Sequence, residues 1–159
     1  MYIRDGLSFN VREDLQNIAL EDLWIELLFP KTKPIIVGTC YRAPENSAAK
    51  DCIEATLNKL TPEYDTILLG DFNYCLLDNK VNKFSEMMTT HGFSQIINKP
   101  TRVTNKSTSL IDHIYTNNTD KISQAGVIES GISDHFITFC TRKKIKDLVG
   151  KHTKIKSDQ

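Results

Sequence analysis

The apolar run Thr66-Ile67-Leu68-Leu69 leads straight into Gly70-Asp71-Phe72-Asn73. Such a run closed by a glycine predicts a buried strand that stops abruptly. A carboxylate and a carboxamide are then left at the strand's carboxyl end, where layered α/β folds gather their working groups. Asp71 and Asn73 lie two apart, so in an extended segment both side chains point to the same side. Two further polar clusters follow, Ser109-Leu110-Ile111-Asp112-His113 and Ser133-Asp134-His135. Aspartate, asparagine and histidine together suit metal-assisted attack of water on a phosphate ester.

The rest of the chain alternates between short strands and two helices. Residues 23–28 and 34–41 read as strands joined by the turn Phe29-Pro30-Lys31-Thr32-Lys33, and Arg42-Ala43-Pro44 ends the second. Residues 47–60 read as a helix with Ala49, Ile53, Leu57 and Leu60 on one face, Asn46 or Ser47 as its cap and Pro62 beyond its end. Residues 65–69 form the strand that delivers Asp71. Residues 79–91 read as a second helix, with Val81, Phe84, Met88 and His91 sharing a face and Gly92 as the left-handed residue after its end. Short strands are expected at 94–97, 110–115, 125–128 and 136–141. The opening Met1-Tyr2-Ile3-Arg4-Asp5-Gly6 reads as the tail of a strand entering a turn, as if the chain began inside a fold. Residues 142–159 carry Arg142, Lys143, Lys144, Lys146, Lys151, Lys154 and Lys156 with few apolar residues, and read as a basic, flexible tail. The expected architecture is an α/β sandwich, sheets packed together with helices outside.

Phosphodiesters resist water because the attacking oxygen meets a negatively charged group. A hard cation such as Mg²⁺ relieves that repulsion, and a carboxylate can take the proton from the attacking water. Asp71 suits the proton transfer, and Asn73 suits the fixing of that water. An imidazole donates to a phosphate oxygen, and a carboxylate on its other ring nitrogen orients it and favours the charged form. His135 and Asp112 fit those two parts, and Ser133 suits the turn presenting Asp134 and His135. Each cluster alone has a plainer reading. Gly-Asp-Phe-Asn is also good turn chemistry, Ser133-Asp134 can simply begin a strand, and His113, inside an apolar run, reads as a packed histidine. His91 reads as a helix-face residue near a carboxyl end.

Composition narrows the classes without choosing among them. With 159 residues, 40% of them hydrophobic, the chain is long enough for one domain with a real core. Its formal charge is zero, so net charge lends no support to nucleic-acid binding, which must rest on local patches. Cys40, Cys52, Cys75 and Cys140 are scattered without a zinc spacing and read as reduced, mostly buried thiols of an intracellular protein that is not secreted. No apolar stretch is long enough to span a membrane.

Taken together the motifs resemble the endonuclease/exonuclease/phosphatase superfamily, the deoxyribonuclease-I-like fold, and within it the endonuclease domain of non-LTR retrotransposons. The resemblance rests on Thr39-Cys40-Tyr41-Arg42-Ala43-Pro44, Leu69-Gly70-Asp71-Phe72-Asn73 and Pro100-Thr101-Arg102-Val103-Thr104. It continues through Ser109 to Thr116 and Ile132-Ser133-Asp134-His135, and covers residues 1–141. It implies a DNase I-like sandwich of two mixed β-sheets flanked by helices, with the amino-terminal part missing. It implies that Tyr41 contacts the phosphate, that Asp71 activates or orients the water and that Asn73 positions water and phosphate. Asp112 then pairs with the last histidine, Asp134 lies near the metal and His135 binds the scissile phosphate. The implied activity is Mg²⁺-dependent nicking of DNA, in a parent polyprotein that includes a reverse transcriptase. The nucleus follows as a location from that parentage alone.

The family pattern also includes an early asparagine and then a glutamate that is the principal metal ligand. Neither has a match here, since Glu13, Glu21 and Glu26 stand in the wrong context. Two expectations of different kinds therefore stand: a phosphodiesterase impaired by loss of that glutamate, or a non-catalytic retrotransposon remnant that binds nucleic acid or protein. A small-molecule or lipid phosphatase is a third, weaker fit to the same fold.

Overall fold

The computed structural model describes residues 1–77 and 81–143. Its centre is a six-stranded mixed sheet in the order β1-β2-β3-β4-β8-β5. These strands are β1 Ser8–Val11, β2 Glu21–Leu28, β3 Ile35–Tyr41, β4 Asp65–Asp71, β5 Ser94–Gln95 and β8 Asp112–Thr116. Only β3 and β4 run parallel, and α1 (Ala49–Leu57) makes the crossover between them. The helix α2 (Lys83–Thr90) separates β4 from β5. Two antiparallel ribbons complete the fold: β6 (Arg102–Val103) with β7 (Thr108–Ser109), and β9 (Ile122–Ile128) with β10 (Ile137–Arg142). This is a mixed α/β architecture, as the sequence led one to expect.

The middle of strand β4, Ile67-Leu68-Leu69, is wholly apolar because both of its faces are covered. Leu68 points into a core built from Trp24, Ile36, Ile53, Leu57, Phe84, Met88 and Tyr115, on the side covered by the helices. Its neighbour Ile67 points the other way, into a second cluster with Ile97, Leu110 and Ile114 against which Ala125, Val127 and Cys140 of the β9–β10 ribbon pack. A strand covered on both faces has no polar side to show. Its two-sided burial fixes the register, and the register sets where Asp71 emerges.

Local expectations were met unevenly. Gly92 is left-handed at φ +77 after α2, as a helix-ending glycine should be. The first helix is shorter than 47–60, and its cap residue is Ala48, without a side-chain cap. Asn46 acts two residues earlier, its Oδ1 accepting the Ala48 N–H at 3.1 Å. The second helix is capped by Asn82 and Ser85 in a reciprocal capping box, which sets its start. Val81 therefore stands outside it, 72% exposed, and the expected start at residue 79 lies outside the described residues. Residues 1–4 do not form a strand; the first strand is β1, after a turn at Asp5-Gly6. Arg142 is the last residue of β10, bonded to Asp65 at 2.6 Å, rather than the start of a tail. Beyond Lys143 the expected tail lies outside the described residues. The four cysteines are unpaired, Cys40 buried and the others half-buried. No helix of the described residues is long and apolar enough to cross a membrane.

Candidate active site

Three carboxyl-bearing or aromatic side chains line up across one edge of the sheet. In the parallel register Tyr41 lies beside Asp71, and in the antiparallel register Asp71 lies beside Asp112. The carboxyl end of β4 thus meets the amino-terminal start of β8 at the same edge. His135 reaches this edge from the segment before β10, held by a single antiparallel bridge to Arg102. Ligand atoms of Asp71, Asp112 and His135 all lie within 4.8 Å of one another.

Gly70 is what lets Asp71 sit there. Its φ is +152, and a Cβ at this position would meet the Cys40 carbonyl oxygen at 1.8 Å. Any other residue would have to push β3 and β4 apart. Beyond Asp71 the chain turns. The Asp71 Oδ1 accepts the Asn73 N–H at 3.0 Å, and Asn73 is left-handed at φ +51. The segment is therefore not extended through Asn73, and simple alternation does not set its direction. The turn reading and the site reading of Gly-Asp-Phe-Asn describe the same residues, because the Asx turn positions the carboxamide. The Asn73 Nδ2 donates to the Arg42 carbonyl at 2.8 Å. A carbonyl only accepts, so the amide nitrogen must face it, and Oδ1 is left as an acceptor.

The His135 Nδ1–H donates to both Asp112 oxygens, each at 3.1 Å. This fixes the tautomer and leaves Nε2 for a ligand. Ser133 braces the turn, its Oγ accepting the His135 N–H at 2.8 Å and donating to the His135 carbonyl at 3.2 Å. Burial raises the Asp71 pKa above the ordinary carboxylate range, and the neighbouring Asp112 adds to this. The Asn73 N–H, His135 and Arg102 offset part of the rise. A carboxylate so placed is a better proton acceptor than a free one.

Asp134 stands apart from the cluster. Its carboxylate takes the Arg102 Nε–H at 2.7 Å in an exposed pair that holds its pKa below the usual range. Tyr41 is at the edge and 42% exposed. His113 is fully buried: its Nε2–H donates to the Tyr74 carbonyl at 2.9 Å, and its ring stacks on Phe72 with centroids 5.3 Å apart. Burial drives its pKa down to about 4, so it is a neutral core group, as its apolar surroundings in the sequence indicated. The His91 Nδ1–H donates to the Met87 carbonyl at 3.0 Å at the end of α2.

Sequence reasoning assigned no part to two residues that hold this edge together. Thr101 is fully buried, and its Oγ1 accepts the N–H groups of Ile111 and Asp112 at 3.1 and 3.0 Å. Its carbonyl accepts the Phe136 N–H at 2.7 Å, so one residue braces the segments carrying Asp112 and His135. Arg42 is buried under the Asp71 turn. Both stood inside motifs noted for resemblance, yet no spacing or periodicity flags a contact made across the fold.

The donor set partly fits Mg²⁺. That ion takes one or two carboxylates plus waters and substrate phosphate, which Asp71 and Asp112 can supply. Imidazole suits it poorly, and the His135 Nδ1 is already committed to Asp112.

A family model described as endonuclease-reverse transcriptase matches residues 35–139. Among solved structures, the endonuclease domain of TRAS1, a telomere-specific non-LTR retrotransposon, superposes with a TM-score of 0.70 at 17% identity, over 82% of this chain and 64% of that one. An endonuclease/exonuclease/phosphatase family protein from Leptotrichia buccalis gives 0.62 at 17%, over 88% and 61%. The inositol polyphosphate 5-phosphatase domain of SPsynaptojanin gives 0.55 at 16%, over 85% and 53%. The chain thus spans less than two thirds of the length of these structures. No curated protein matches its sequence.

Proposed function

From the membership of this chain in the endonuclease-reverse transcriptase family, within the endonuclease/exonuclease/phosphatase superfamily, we propose that its cleft hydrolyses DNA phosphodiesters with Mg²⁺. The observation that carries the reading is the convergence of Asp71, Asp112 and His135 from three separate segments on one sheet edge. A family model naming an endonuclease and a fold shared with a retrotransposon endonuclease domain support DNA as substrate and a polyprotein with a reverse transcriptase as parent.

In this reading Asp71, its pKa raised by burial, takes the proton from the attacking water. The Asn73 Oδ1 accepts from that water and fixes its direction. Asp112 holds His135 by Nδ1, and in the doubly protonated ring Nε2–H donates to a non-bridging phosphate oxygen. Tyr41, at the same edge, contacts the phosphate from the other side of Asp71. The chemistry Mg²⁺ supplies when bound is relief of charge on the phosphate oxygens. Asp71 and Asp112 would hold it, and Asp134 would join them only by giving up Arg102.

Asp112 already has both oxygens engaged by His135, so the seat is weak, activity is impaired and a high Mg²⁺ concentration is needed. The tie between Asp134 and Arg102 favours a second reading, in which the cleft binds nucleic acid without cutting it. A titration of Mg²⁺ against supercoiled plasmid, with an inositol phosphate and a sugar phosphate as competing substrates, separates these. The proposal expects nicking that rises with Mg²⁺ and disappears in Asp71→Ala. Plasmid binding without nicking at any Mg²⁺ concentration would support the second reading, and release of inorganic phosphate with intact plasmid would point to a phosphatase.

A further inference from the structure

Arg42 has no part in the reaction described above, yet it is oddly placed. It follows β3 directly and is only 7% exposed. No carboxylate pairs with it among the described residues. Its guanidinium donates to the carbonyls of Phe72 at 3.3 Å and Pro44 at 2.9 Å, and lies 4.0 Å from the centre of the Tyr74 ring. Its Nε is buried without a partner. A buried cation without a counter-charge is costly, and an apolar side chain would fill the same space at less expense.

The main chain of Arg42 explains what the arrangement achieves. Its N–H donates to the Asp71 carbonyl at 2.9 Å, and its carbonyl accepts the Asn73 Nδ2–H at 2.8 Å. With the bond to the Phe72 carbonyl, Arg42 holds three consecutive residues of the turn after β4. Asn73 is left-handed there, a conformation that persists where its surroundings over-determine it.

We propose that Arg42 is the positioning residue for Asn73, clamping the turn from beneath so that the carboxamide presents its oxygen, rather than its nitrogen, to the attacking water. The inference rests on the phosphodiesterase reading for its consequence, but the clamp itself is a matter of structure. It acts on Asn73 and not on the substrate, so its loss lowers kcat and leaves KM for DNA unchanged.

The test uses the full chain with Arg42→Met, which fills the space without charge or fork, and Arg42→Lys, which keeps the charge and reaches one carbonyl. Nicking kinetics, thermal melting and the proton shifts of the Asn73 carboxamide, assigned by their loss in Asn73→Asp, are recorded together. In the wild type one Asn73 amide proton is shifted downfield by its bond to the Arg42 carbonyl. In Arg42→Met the protein still melts cooperatively near the wild-type temperature and the main-chain carbonyl of residue 42 remains, but the turn loses its tie at the Phe72 carbonyl, so the shifted proton moves toward the free-amide position and kcat falls about 10²-fold. Arg42→Lys falls between. A folded Arg42→Met with wild-type kcat and an unmoved amide proton overturns the proposal. If Arg42→Met does not fold, Arg42→Lys decides by the same readouts. A wild-type chain that fails to nick removes the functional reading, whereas the amide shift still upholds or overturns the clamp.

Discussion

The chain uses the dipeptide Asp-His twice at the same edge and assigns its two members in opposite ways. In Asp112-His113 the aspartate joins the site, and the histidine is buried against Phe72 and Tyr115. In Asp134-His135 the histidine joins the site, and the aspartate is turned to Arg102. Neighbouring side chains in extended chain point to opposite sides, so only one of each pair can enter the site. The site is completed by exchange, Asp112 of the first dipeptide holding His135 of the second. Identity and adjacency are equal in the two places; the face that β8 buries decides the role in the first, and the pairing of the segment before β10 with Arg102 decides it in the second.

Exchanging the roles by mutation gives the sharpest contrast. Asp112→Asn and His135→Ala each lower nicking by about 10²–10⁴-fold while melting changes little, which plasmid assays and thermal scans check together. His113→Ala does the reverse: stability falls by roughly 3 kcal/mol in urea titration through lost packing and hydrogen bonds, and the fraction that stays folded still cuts. A His113→Ala protein that melts normally but does not cut would break the comparison.

The same contrast extends to pH. His113 has a depressed pKa in the fold, about 4 against 6.5, so its neutral form stabilises the protein above pH 6.5 and that contribution is lost as pH falls through about 4. Asp71 has a raised pKa, so its contribution is favourable below the ordinary carboxylate range and is lost as pH rises through the raised value. At neutral pH, Asp71→Asn is therefore expected to melt higher than the wild type while losing activity, and the melting difference closes in acid. A lower melting temperature for Asp71→Asn at pH 7 would show that burial does not dominate at this carboxylate.

Smaller effects follow at the supports. Thr101→Val leaves two buried N–H groups without their acceptor and costs about 1–3 kcal/mol, measured by urea unfolding. Thr101→Ser, which keeps the oxygen, stays close to the wild type. Asp134→Asn breaks only an exposed pair and leaves the melting temperature unchanged. A loss of nicking as deep as that of Asp112→Asn would place Asp134 at the metal after all.

How far this was legible in the sequence follows from the range of each interaction. The strand at 65–69 and its glycine were plain, because a two-sided buried strand writes its burial into consecutive residues. The Asp71, Asp112 and His135 grouping was legible from chemistry, since Asp71 and His135 flank predicted strands and Asp112 lies within one. Strand β1 was not, because Ser8-Phe9-Asn10-Val11 is short and exposed throughout and is defined only by pairing with β2. The two-residue strands β6 and β7 were equally hidden, and with them the bridge that carries His135. Asn73 was placed by alternation, whereas its left-handed turn is held by the Asp71 carboxylate and by the carbonyl of Arg42, 31 residues earlier. Contacts of that separation leave no local pattern.

That distant segments form one working site around one phosphate is tested most directly by a double-mutant cycle in plasmid nicking with Asp71→Asn and His135→Gln. Groups that act as a unit are expected to be strongly non-additive, the double variant cutting no more slowly than the weaker single one. Losses that multiply would contradict the account by showing that the two side chains work independently.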